Sequence, residues 1–274
     1  MLGALLLLAL PAQSVHAQDP FSPVSPRHEA ARLMSAELTM SAALAQRRQL
    51  LSAPAPTSLM DRVRLDLAVA KVDFTYRNAI RQEEIRVYEL ASYASVESQV
   101  IPLLPKSVSR PVSDAVAALH SLYALAGFDQ YYLVHAHFVF PYANAAPVDA
   151  LRGYYLEAQR KYGVDPSYLA SINFIESSFG RNNGPSSAGA LGPMQFLPGT
   201  WADWGQGGNI NDPHDAILAA ARYLVHYGAP GDMYTAIFHY NLDTDYVDAV
   251  ESFALAIRQD PTWLDRLYYW GTSG

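Results

Sequence analysis

Glu176 is a carboxylate set in an apolar run. It follows Phe174 and Ile175, precedes Phe179 closely, and has no cation after it until Arg181. Helical spacing puts Leu169, Ile172 and Glu176 at i, i+3 and i+7, so the carboxylate points where the apolar residues point. Loss of water there penalises the charged form and raises the pKa. An acid kept partly protonated near neutral pH suits general acid catalysis. The bland alternative is a buried glutamate paired with Arg152, Arg160 or Arg222, because a lone Glu near a helix end is more often structural or solvated.

The following loop, GRNNGPSSAGALGPMQFLPGTWADW, shifts that balance. It holds five glycines, the amides Asn182, Asn183 and Gln195, the hydroxyls Ser186 and Ser187, and two tryptophans. Glycines let backbone approach a ligand closely. Aromatic rings and amides suit sugars, which offer apolar ring faces and many hydroxyls. An acid beside such a loop points to glycoside cleavage. Trp201 and Trp204 are expected as sugar platforms or, equally, as core packing. Two other clusters carry weaker chemistry. His135 and His137 share a face if 131–140 is a strand, but they lack a nearby third ligand, so packing is preferred over metal. Asp243, Asp245 and Asp248 lack the glycine and spacing of a calcium loop, so helix capping is preferred.

Four blocks in order give a resemblance. IESSFG, SSAGALGPMQFLPGTW, DPHDAILAAARYL and AIFHYNLDTDYVDAV together resemble the soluble-lytic-transglycosylase (SLT-type) domain, related to goose-type lysozyme. The GPMQF wording is closest to the membrane-bound B type and related secreted actinobacterial forms. The resemblance implies an all-α, lysozyme-like domain acting on peptidoglycan glycan strands. It implies Glu176 as the single acid and base. It implies Ser186, Gln195 and the backbone at Met194 as holders of the N-acetyl and sugar groups, with Tyr240 and Asn241 lining the cleft. Ser177 matches the motif, as a binding residue or as support for the helix end. His239 stands where the family often has Ala. The implied reaction cleaves the MurNAc-β-1,4-GlcNAc bond and closes a 1,6-anhydro ring, without metal or cofactor. The rivals are a hydrolase of the same fold, with water held by Asp203, Asp243 or Asp245, and a non-catalytic wall-binding scaffold.

These residues need helices to place them. Asp149 to Tyr162 fits a helix closed by Gly163. Asp165-Pro166 and Asp212-Pro213 each give an N-cap followed by proline at the first helical position. Asp232 opens another helix, and Asp243 or Thr244 the last long one, through Ile257. Upstream, helices are expected at 27–51, 58–101 and 112–126. In the second, Met60, Val63, Leu67, Ala70 and Phe74 alternate by three and four. A shifted stripe runs through Tyr76, Ile80, Val87 and Leu90, interrupted by Glu83. Each register lasts about two heptads, which suits a hairpin or small bundle better than an extended coiled coil.

The expected division is a signal peptide at 1–17, a helical N-terminal module at 18–140 and a catalytic domain at 141–274 that folds by itself. The N-terminal module is expected to be structural or to dock a cell-wall protein partner. The signal rests on the apolar run Leu2–Leu10 and the small residues of Val15-His16-Ala17, although no cation precedes the run. It implies export, to the periplasm or cell envelope. Residues 18–141 are charge-balanced, so the net charge of −7 falls within 142–274. That half repels phosphate backbones, which argues against nucleic acid. With no cysteine, thiol nucleophiles and Cys-ligated metals are excluded.

Overall fold

A computed structural model describes residues 25–127, 144–182 and 184–271, and among them the fold is all-α. The helices are α1 (Pro26–Ser52), α2 (Leu59–Ser92), α3 (Ala94–Val100), α4 (Lys106–Ala126), α5 (Val148–Tyr162), α6 (Pro166–Ser177), α7 (Pro198–Trp204), α8 (Pro213–His226), α9 (Met233–Tyr240), α10 (Thr244–Gln259) and α11 (Trp263–Tyr269). The expected signal segment and the segment 131–140 with His135 and His137 lie outside the described residues. No helix among the described residues is long and apolar enough to cross a membrane.

The capping signals act as their chemistry requires. Asp165 accepts from the Ser167 N–H at 2.8 Å, and Asp212 from the His214 and Asp215 N–H groups at 2.9 and 3.1 Å. Asp243, rather than Thr244, caps α10 through the Asp245 N–H. Two upstream boundaries differ from expectation. The long second helix breaks at Tyr93, so α3 is separate. α4 starts at Lys106 and runs through Pro111, which has no N–H to give the helix but buries its ring.

α6 sits at the centre. Nearly every residue from Ser167 to Ser177 is buried, because α5, α8, α10 and α11 pack around it. Its polar side chains can be buried because each is hydrogen-bonded, Ser171 donating to the Ser167 carbonyl and Asn173 to the Tyr155 hydroxyl, both at 2.8 Å. Phe174 meets Phe253 of α10 edge-on at 5.2 Å. α10 lies against α6 and also against α4, so it joins the two halves of the chain. One continuous set of buried residues runs from Ala30 to Trp270.

Polar contacts tie the halves as well. The buried Arg266 guanidinium donates to Glu37 of α1 at 2.6 and 3.1 Å, to Glu83 of α2, and to Asp260 at 2.8 Å. Glu83 is therefore no mere interruption of its stripe. It is fully buried, and burial raises its pKa against the lowering pull of Arg266. The Gly271 N–H donates to Glu84 at 2.8 Å, and Gln259 donates to Asp114 at 2.6 Å. The boundary expected at 140 is thus crossed by core packing and by buried charge.

Candidate active site

Glu176 is the second-last residue of α6. The chain turns sharply there, with Ser178 and Phe179 both left-handed (φ +50° and +63°) before Gly180. Such backbone is costly for residues with a Cβ and persists only where the surroundings hold it. The Ser178 and Phe179 N–H groups donate to the Phe174 and Asn173 carbonyls, at 2.8 and 3.1 Å. Ser177 does the rest. Its hydroxyl donates to the Pro193 carbonyl at 2.6 Å and accepts from the Gly180 N–H at 2.8 Å. It pins the 184–196 loop to the helix end beside Glu176.

That loop is held from the other side by Tyr240, whose hydroxyl donates to the Met194 carbonyl at 2.7 Å. Leu191 and Phe196 pair across the turn between them, at 2.8 and 3.0 Å. Gly192 takes φ +73°, and a Cβ there would lie 2.0 Å from the Ile210 carbonyl oxygen. Only glycine fits that approach. Gln195 is left-handed too, at φ +48°. Its buried side-chain amide donates to the Gly192 carbonyl at 2.9 Å, while its Oε1 finds no partner among the described residues.

Glu176 keeps a window to solvent, yet dense packing surrounds it. Burial pushes its carboxyl up to about 8, and no neighbouring charge is needed to explain the rise. Its one hydrogen bond among the described residues comes from the Tyr246 hydroxyl to Oε1, at 2.6 Å. Tyr246 is fully buried, and burial, with the carboxylate beside it, keeps its phenol protonated as a donor. Tyr240 also feels the Glu176 charge.

The arginines proposed as structural partners go elsewhere. Arg152 donates to Asp265 at 2.9 Å, Arg222 to the Trp204 carbonyl at 2.7 and 2.9 Å, and Arg160 is exposed. Among the described residues no cation pairs with the acid.

The structure thus brings Glu176, Ser177, Met194, Gln195 and Tyr240 together through short contacts. Asn241, buried directly after α9, ends that helix by donating its backbone N–H to the Ile237 carbonyl at 3.1 Å. Ser186 braces its own loop, its hydroxyl accepting from the Ala190 N–H at 2.9 Å. Trp201 packs on Phe196 at 5.6 Å, and Trp204 lies against His226 at 4.8 Å, both half-buried. His239 stacks on Tyr227 at 4.2 Å. Tyr246 had no role assigned from sequence. Its only signal was its place in the fourth block, seventy residues beyond the acid.

Metal-capable side chains cluster at Asp212, His214 and Asp215, within 4.8 Å of one another. All three are already engaged. Asp212 caps α8, Asp215 accepts from the Asn209 N–H, and His214 meets Glu157 at 2.9 Å.

Residues 153–251 match the family model of the transglycosylase SLT domain. No curated protein and no solved structure matches the chain. The matched span takes in Glu176, the 184–196 loop, Tyr240, Asn241 and Tyr246, and leaves out α1 to α4 and α11.

Proposed function

We propose that the protein is an exported peptidoglycan lytic transglycosylase with Glu176 as its single acid and base. The observation that carries this reading is the lone, desolvated Glu176 carboxyl with a neutral phenol as its only hydrogen-bond partner among the described residues. One carboxyl suffices when the substrate supplies the other groups. The Glu176 acid protonates the glycosidic oxygen between N-acetylmuramic acid and N-acetylglucosamine, and the C1–O bond breaks. The muramyl acetamido oxygen bonds C1 and carries the positive charge. The Glu176 carboxylate then takes the proton from the 6-hydroxyl, whose oxygen attacks C1 and displaces the acetamido oxygen. A 1,6-anhydro ring forms and Glu176 is again protonated. No water is consumed.

Of the acids a hydrolase could use, Asp243 is spent as the α10 cap, Asp203 is exposed, and Asp245 is half-buried directly before Tyr246, its N–H given to the Asp243 cap. Product masses from purified sacculi separate the two chemistries. Fragments lighter by one water than hydrolytic products are expected, from a protein recovered outside the cytoplasmic membrane with Gln18 first. Hydrated ends, or an uncut cytoplasmic chain, would overturn the respective half of the reading.

Tyr246→Phe gives a finer test. The Glu176 anion would lose its hydrogen bond, so its pKa should climb further. Activity needs the protonated acid, so the wild-type rate should fall as pH rises through about 8. In the variant this alkaline limb should move up while turnover drops about tenfold or more, since hydrogen bonds to charged groups contribute roughly 1.5–3 kcal/mol. A limb that stays in place would reduce Tyr246 to a packing role.

A further inference from the structure

α2 carries two apolar stripes, and only one is used. The stripe through Tyr76, Ile80, Val87 and Leu90 is buried in the body of the protein. Val72 continues it toward the tip of the α1–α2 hairpin, facing α1. The other stripe faces outward. Met60, Val63, Leu67 and Phe74 are 61, 42, 66 and 55 % exposed, and Ala70 between them is exposed as well. Residues two apart on a helix are separated by about 200°, so Ala70 and Phe74 point away from Val72, with Phe74 at the edge of the groove that Ser35, Ala36 and Thr39 of α1 also line. Four large apolar side chains in one row make an exposed patch of a few hundred Å², the size at which a patch signals an interaction site.

The spacing states what kind of surface would cover it. Steps of three, four, three and four residues form the a and d positions of a heptad, the pattern that packs against another helix. Met60, Leu67 and Phe74 fall at a, and Val63 and Ala70 at d. The register ends at Phe74. Its next two positions are Arg77 and Arg81, and the Arg77 guanidinium lies over the Tyr269 ring at 5.9 Å.

The flanking charges state which helix. Asp66 falls at g and Lys71 at the following e, one on each side of the row. Both are exposed, and neither has a partner among the described residues. Between parallel helices, a g residue faces the e residue five positions later on the other chain. Asp66 of one copy would then meet Lys71 of the second, and the reverse pair forms by symmetry. An antiparallel arrangement would instead face g with g and e with e, which in either matching register sets like charges together, Asp66 against Asp66 or Asp73, and Arg64 against Arg64 or Lys71. We propose that the outward face of α2 from Met60 to Phe74 is a pairing seam for a second copy of this chain, with the two α2 helices parallel.

The helix need not be ordered on association, because packing against α1 and the 2.9 Å Arg47–Asp73 pair already hold it. This proposal is independent of the reaction at Glu176.

Sedimentation equilibrium of the full chain tests it. The wild type should show a concentration-dependent dimer. Leu67→Glu places a charge in the middle of the seam twice over and should weaken the dimer a hundredfold or more. Its circular dichroism should be unchanged, because Leu67 makes no part of the core. Asp66→Lys and Lys71→Asp each turn two rim attractions into repulsions and should each weaken it about tenfold. Mixed together, these two variants restore both pairs and should form a heterodimer as strong as the wild type. A wild type monomeric at its highest soluble concentration would overturn the proposal, as would a dimer indifferent to Leu67→Glu. A mixture that does not recover would overturn the parallel pairing.

Discussion

Glu176→Gln should remove peptidoglycan cleavage while leaving the fold intact. Positioned acid–base groups contribute on the order of a hundred- to ten-thousand-fold, and Glu176 would serve both steps, so the loss should reach at least that range. Gln keeps the volume and still offers an oxygen to the Tyr246 hydroxyl. Stability should change with a definite sign. The Glu176 carboxyl sits at about 8 in the folded protein, against 4.5 for the ordinary group. Between those values the folded state holds a proton that the unfolded state has lost. Stability therefore falls as pH rises through this window. The amide has no such dependence, so the variant should melt at nearly the wild-type temperature near pH 4.5. At pH 8 and above it should be more stable, by roughly 1–3 kcal/mol once residual solvent access is allowed for. Paired melting curves at the two pH values, with product assays, decide the matter. A variant with full activity would remove Glu176 from the chemistry. One that unfolds at every pH would make it a structural carboxylate.

The acid and its loop were legible because their determinants are local. Helical spacing alone puts Glu176 on the apolar face, and Asp-Pro pairs alone mark where α6 and α8 begin. The glycines of the 184–196 loop announce close backbone approach, which Gly192 then shows against Ile210. What escaped is long-range. Tyr246 reaches Glu176 only because α10 crosses α6, and a tyrosine on an amphipathic helix looks like any core residue. Glu83 looked like a flaw in its stripe because its partner, Arg266, lies 183 residues away. The stripe from Met60 to Phe74 had the pattern of a buried face. Its true exposure depended on which of two opposed faces α1 would cover, and local spacing cannot decide that. The same limit explains the boundary at 140. The charge balance differs on its two sides, but α4 before it and α10 after it pack together.

A fragment starting at residue 141 should consequently fail to fold, although its length would suffice for a domain and the matched SLT span lies within it. Without α4, one side of α10 faces water, and α10 carries both Tyr246 and Phe253. Without α1 and α2, Trp270 loses the Tyr88 ring that packs on it at 5.5 Å, and Arg266 loses Glu37 and Glu83. The fragment should show no cooperative melting, and its activity should be lost because the helix that brings a donor to Glu176 is no longer held. Arg266→Met in the full chain isolates the charge contribution. It leaves Glu37 and Glu83 without their cation, and breaking one side of a buried pair costs about 3–5 kcal/mol. For a chain of this size that lowers Tm by roughly 10 °C. Glu83 already has a raised pKa and would be raised further, so it should accept a proton rather than stay charged. The deficit should therefore shrink as pH falls, and Glu83→Gln in the same chain should recover part of it at neutral pH. A fragment that melts cooperatively and cleaves peptidoglycan would separate the halves. An Arg266→Met protein as stable as the wild type would show that apolar packing alone joins them.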